Sequence, residues 1–200
     1  MSAQRVRGSH SGRFSSGDST QYLALLRGIN VGGKNIIKMS DLKARLEAAG
    51  LVDVATYIQS GNVLVTSADS ARWLTERLER LLSEEFACRS RVVVRSHAQL
   101  RRIVTRAPAG FGNDPTAYRY DALFLKEPLT SAKAIKELTL REGVDAAFPG
   151  PGVIYFSRLA ERATQSGLSR IVSLPVYQDI TIRNWNTTDK LLHLMDARGR

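Results

Sequence analysis

The chain has 200 residues, of which 43% are hydrophobic and 24% charged. Those proportions belong to an ordinary globular protein and exclude a collagen-like, disulfide-rich or wholly disordered chain. Lys and Arg outnumber Asp and Glu by 29 to 19, a net charge of +10, and no run of about 18 apolar residues occurs that would cross a membrane as a helix.

The surplus positive charge is spread along the chain with no dense basic run. A pI of about 10.2 raises nucleic acid as a partner, and an Arg-rich surface without that role is the alternative. The one cysteine, Cys88, permits no intramolecular disulfide, which fits a reducing cytoplasm. His10, His97 and His193 show no metal-ligand spacing, so no metal site is expected. Residues 1–20 are rich in Ser and Gly with scattered apolar positions. They read as a disordered extension without the continuous apolar segment of a secretory signal.

From there the elements follow in order. Gln21–Arg27 (QYLALLR) is an apolar run ending at Gly28, and reads as a strand. Gly28–Lys38 is a glycine-containing loop, and Ser40 is a natural N-cap for a helix over Asp41–Ala49, stopped by Gly50. Val52–Gln59 and Val63–Thr66 read as strands joined by a turn at Ser60-Gly61-Asn62. Asp69 or Ser70 caps a helix to about Phe86, whose Leu74, Leu78 and Leu82 fall on one stripe. Arg91–Arg95 (RVVVR) is a fourth strand.

A connecting helix over His97–Arg106 and a linker over Pro108–Thr116 lead to a second series. Tyr118–Lys126 is a strand and Ser131–Leu138 a helix. Val144–Phe148 and Val153–Ser157 form a hairpin around PGPG. Gly167–Leu174 is a short helix, Asp179–Arg183 a strand, and Thr187–Ala197 a final helix capped by Asn186. Each series runs β-α-β-β-α-β. The expected fold is therefore α+β, with two tandem ferredoxin-like (βαββαβ) subdomains built on antiparallel sheets. They span 21–96 and 118–200, with 97–117 between them.

In that topology the loop after strand one and the turn between strands two and three share one end of the sheet. The loop reads GINVGGKN. Gly28, Gly33 and Lys34 satisfy G-x-x-x-x-G-K, but Asn35 stands where a phosphate-binding P-loop places Ser or Thr, and the following helix starts too late. Two readings remain: glycines that permit tight turns, or backbone N–H groups and Lys34 that hold an anion. The candidate ligand-binding residues are Arg27, Gly28, Asn30, Gly32, Gly33, Lys34 and Asn35 in the first loop and Ser60 and Asn62 in the second. A third patch, Arg183, Asn184 and Asn186 around Trp185, joins them if the two halves meet there. No G-x-S-x-G, H-E-x-x-H or dinucleotide G-x-G-x-x-G occurs, and no general base can be named.

YLALLRGINVGGKN, MSDLKARLEAAGL, TYIQSGNV and RNWNTTDKL occur in this order. On these motifs the chain resembles the family called domain of unknown function 1697, over nearly all of residues 21–197. The resemblance implies two α+β subdomains of ferredoxin-like character in a bacterial cytosolic protein. It implies no activity, substrate or cofactor. Three functions stay open: a binder of a small anionic or phosphorylated ligand, a nucleic-acid-binding module, or a structural or regulatory interaction module. Against sheet-face RNA binding, Val63–Thr66 carries no aromatic residue to stack a base, and adjacent Tyr155 and Phe156 point to opposite faces.

Overall fold

A computed structural model describes residues 19–30 and 36–198. Residues 1–18, most of the expected N-terminal extension, lie outside them.

The first half contains β1 (Thr20–Leu26), α1 (Met39–Ala48), β2 (Val52–Tyr57), β3 (Asn62–Ser67), α2 (Ala71–Phe86), β4 (Val92–Ser96) and α3 (His97–Thr105). The second contains β5 (Tyr118–Leu125), α4 (Ser131–Glu137), β6 (Asp145–Gly150), β7 (Val153–Leu159), β8 (Ile180–Asn184) and α5 (Trp185–Arg198), with 3-10 turns between β7 and β8. The architecture is mixed α/β, with two four-stranded sheets ordered β2-β3-β1-β4 and β6-β7-β5-β8. Every pairing is antiparallel.

The two central strands explain the layering. Side chains alternate across a strand, so Tyr22, Ala24 and Leu26 of β1 join one core while Leu23 and Leu25 join another. In β5, Leu123 and Leu125 face one core and Ala122 and Phe124 the other. Both strands are apolar on both faces because both faces are covered. Leu42 and Leu46 of α1, with Leu74, Leu78 and Leu82 of α2, close the outer face of the first sheet. Ala134 of α4 and Ile171 close the outer face of the second. Leu100 and Ile103 of α3 and Leu191, Leu192 and Met195 of α5 fill the layer between the sheets. That middle layer belongs to both halves.

Four local expectations are corrected. The first helix begins at Met39, with Lys38 at its cap, and Ser40 lies inside it. Its start is set from outside, because the Asn30 carboxamide holds both the N–H and the C=O of Ile37. The last helix begins at Trp185, directly after β8, so Asn186 is inside it and the Asn184 Oδ1 accepts the Asn186 N–H at 2.9 Å. Residues Gly167–Ser173 form a 3-10 turn. Pro175 follows after Leu174 and bars a regular helix from continuing through it. The second hairpin is tighter than PGPG implies, since β6 reaches Gly150 and pairs it with Val153.

Candidate functional site

The loop after β1 and the turn after β2 meet through Asn30. Asn30 adopts the left-handed conformation (φ 53°) that Asn tolerates better than most residues. Its carboxamide donates to Ile37 O and Gln59 O, both at 2.9 Å, and accepts the Ile37 N–H at 2.7 Å. One side chain thereby closes the base of the loop and ties it to the neighbouring turn. Asn62 is fully buried. It donates to Tyr57 O and to Ser60 Oγ, both at 3.0 Å, which leaves its Oδ1 as an acceptor.

Arg183 takes that acceptor. It arrives from β8 in the other half of the molecule, and its Nε donates to Asn62 Oδ1 at 2.6 Å. Its Nη2 donates to Leu26 O at 2.8 Å and Ser60 O at 2.7 Å, and its Nη1 to Ile182 O at 2.8 Å. Every partner is a neutral oxygen. Burial alone pulls the guanidinium down to about 10, still charged at neutral pH. Arg183 therefore pins the halves together and places a positive charge beneath the turn.

Arg27 stands beside it, first after β1. Its guanidinium lies 4.2 Å from the centroid of the Tyr177 ring, again in the other half. Its Nε is buried and has no hydrogen-bond partner among the described residues. No carboxylate forms an ion pair with Arg27 or Arg183 among the described residues.

The predicted site residues thus divide. Arg27, Asn30, Ser60, Asn62 and Arg183 come together at one end of the first sheet. Gly28 (φ 71°) follows Arg27 at that end. Gly32, Gly33, Lys34 and Asn35 lie outside the described residues. Asn184 is engaged at the start of α5, where it accepts from the Asn186 N–H and the Thr188 hydroxyl, and neither it nor Asn186 is brought to the loops by these bonds.

Sequence reading missed a second pin. Arg95 of β4 is 6% exposed, close to the 8% of Arg183. Its Nη2 donates to Leu125 O and to Gly152 O, and its Nη1 to Val94 O. The two pins share three bonds, Nη1 to the preceding carbonyl and Nη2 to Leu26 O and Gly61 O or to Leu125 O and Gly152 O, whereas the bonds of Arg183 to Asn62 and Ser60 have no counterpart at Arg95. Leu26 and Leu125 each end a central strand, and their N–H groups donate to Gly61 O and Gly152 O. The next residues, Arg27 and Lys126, donate to Arg91 O and Asp179 O. Gly61 (φ 74°) and Gly152 (φ 73°) make the corresponding turns. At Gly152 a Cβ would stand 3.0 Å from the Arg95 Nη2. The available signal was VVVR beside ITIR, each a β-branched strand with Arg at its fourth position.

A family model described as "Protein of unknown function (DUF1697)" matches residues 19–155. The chain belongs to this family. The matched span of the DUF1697 family covers Arg27, Asn30, Ser60, Asn62 and Arg95 and stops before Arg183. A solved structure, that of the conserved bacterial protein SP0830 from Streptococcus pneumoniae, aligns with a TM-score of 0.78 at 31% identity. The alignment covers 88% of this chain and 98% of that one. No protein of curated function matches the chain. Among the described residues of this DUF1697 member, no group of three or more His, Cys, Asp or Glu is placed to hold a metal ion. Nor is any helix among them long and apolar enough to cross a membrane.

Proposed function

We propose that the protein binds a small anionic or phosphorylated ligand at the end of the first sheet that carries Arg27 and receives Arg183 at Leu26 O. The observation that carries this reading is the pair of guanidinium groups with no carboxylate partner among the described residues. A buried charge surrounded only by neutral oxygens projects its field outward with little screening. Arg27 supplies a donor to the ligand from the edge of its guanidinium while the face of that group rests on Tyr177, and a planar guanidinium suits a carboxylate or phosphate. Arg183 is a positioning residue: it holds Ser60 and Asn62 and contributes charge from below. Lys34, with Gly32, Gly33 and Asn35, belongs to the same loop and adds donors on the strength of its sequence.

We read the two halves as tandem ferredoxin-like subdomains. The strand order in each sheet and the interlocking arginines support that reading. Both faces of each sheet are covered, and Tyr155 and Phe156 are each 1% exposed. A ligand held by loops fits this arrangement better than RNA stacked on a sheet.

The test is calorimetric titration of the full chain with inorganic phosphate, pyrophosphate, a nucleoside triphosphate and a dicarboxylate. At least one of them binds saturably. Arg27→Gln weakens it by at least about tenfold, the low end for a charge-assisted hydrogen bond. If no anion binds, or if Arg27→Gln and Lys34→Ala leave the affinity unchanged, the assignment is wrong.

A further inference from the structure

A cavity of about 520 Å³ opens beside Lys126, between α2, β4 and residues 126–128. One wall is the free edge of β4, an outer strand of its sheet. Its register pairs Val92 with Leu26, Val93 with Leu25 and Val94 with Ala24. The Arg27 N–H donates to Arg91 O. Ladder bonds in an antiparallel pair recur at alternate residues, so the main-chain groups of Val92, Val94 and Ser96 point away from β1.

Side chains close two of these three rungs. The Val92 N–H donates to Glu79 Oε1 at 2.8 Å, and the Val92 C=O accepts from Lys126 Nζ at 3.4 Å. The Ser96 N–H donates to Gln99 Oε1 at 2.8 Å. At Val94 the C=O accepts one bond, from Arg95 Nη1, and keeps a second lone pair. The Val94 N–H has no partner among the described residues. One rung of the edge is left open, and it faces the cavity.

Charge decides what this cavity suits. Arg72, Arg95 and Lys126 are matched by Glu76, Glu79 and Glu127. A balanced lining does not select an anion, and an unpaired donor beside an acceptor with spare capacity is the pattern of a missing strand.

We propose that this cavity binds a short peptide in extended conformation, which adds one rung to β4. A ligand carbonyl accepts the Val94 N–H and a ligand N–H donates to the Val94 carbonyl, the geometry of strand addition. The closed rungs at Val92 and Ser96 limit the occupant to about three residues, since a strand rises about 3.4 Å per residue. They also keep the edge from recruiting a longer strand. The volume lies within the range of about 300–1,000 Å³ typical of ligand pockets.

The probe is the uncharged tripeptide acetyl-Ala-Val-Ala-amide, titrated calorimetrically into the full chain. It binds saturably, and the same peptide N-methylated at each amide in turn loses about tenfold at one position, the worth of one hydrogen bond. Thr75→Trp, which fills the groove from α2, abolishes binding. Val94→Pro removes an N–H that makes no bond to β1, a substitution an edge strand tolerates, and weakens binding by about tenfold. Absence of saturable binding at millimolar peptide, equal affinity for all N-methylated peptides, or unchanged binding in a folded Thr75→Trp protein would each overturn the proposal.

Discussion

The two ends of the molecule are built alike and charged differently. After β5, Lys126 reaches into the other half and meets Glu79 at 2.9 Å. After β1, Arg27 reaches into the other half and meets the face of Tyr177. Arg95, at the Lys126 end, feels the charge of Glu127. Arg183, at the Arg27 end, has Asn62 and carbonyls for company. The same backbone frame thus carries a neutralised end and an unneutralised end. The difference lies in what each half offers the other: α2 presents a carboxylate, whereas the 3-10 turn over Pro175–Asp179 presents an aromatic ring.

The strongest way to break the comparison is to separate the ends. A fragment ending at residue 117 would expose Leu23, Leu25, Leu64, Val93, Leu100 and Ile103, all of which lie in the layer shared with the second half. At about 1.5–3 kcal/mol per buried side chain, their exposure removes an amount comparable with the roughly 5–15 kcal/mol that holds a typical domain together. Circular dichroism and urea titration should show no cooperative unfolding for the fragment alone.

Removing one pin is the next largest perturbation. Arg183→Met leaves Asn62 Oδ1, Leu26 O and Ser60 O buried without their donor. We expect a loss of at least about 1–3 kcal/mol in urea unfolding, the cost of a buried neutral acceptor left unsatisfied, with little rescue by Lys, whose compact ammonium lacks the planar fork that reaches these separate acceptors. Arg95→Met should lose less, because its neighbours at that end are backbone carbonyls without a side-chain acceptor.

Glu79→Gln sharpens the comparison instead. It removes the carboxylate from Lys126 and makes the neutralised end resemble the other. Stability should fall by about 1 kcal/mol through loss of the Lys126 ion pair, because the carboxamide oxygen still accepts the Val92 N–H. Pyrophosphate should gain a second, weaker site in the same variant, countable by titration.

The smallest effect concerns the seam between α3 and α5. Asp196 accepts from His97 and from Arg101, and these bonds, that from His97 foremost, hold its carboxyl below the ordinary range. A carboxyl depressed on folding stabilises the native state above its unfolded value, about 3.9. That contribution is lost as pH falls through the depressed value. The pair is partly exposed, so the effect stays under about 1 kcal/mol. Asp196→Asn should lower stability by under about 1 kcal/mol near neutrality, and the difference from the unsubstituted protein should vanish as pH falls below the depressed value, which flattens the acid limb of the pH–stability curve.

The strands were legible because their periodicity is local. LALL and ALFL are apolar at every position, as strands covered on both faces must be, and Ser70 and Asn62 mark boundaries through their own hydrogen-bonding habits. The element order carried enough information to place Arg27, Asn30, Ser60 and Asn62 at one end of a sheet. Helix starts were less legible. Ser40 has every property of a cap, yet Asn30, ten residues upstream, sets where that helix begins.

The chain by itself determined the alternation of strands and helices, the one-ended cluster of polar loops and the absence of a disulfide partner for Cys88. These depend on interactions within a few residues or on residue type alone. Only the tertiary structure decided that the halves share a core, that Arg183 and Arg95 are reciprocal pins, and that one end is neutralised. Each of these depends on groups far apart in sequence, 121 residues for Arg183 and Asn62, and a buried arginine looks the same in sequence whether it faces a carbonyl, a carboxylate or a ligand.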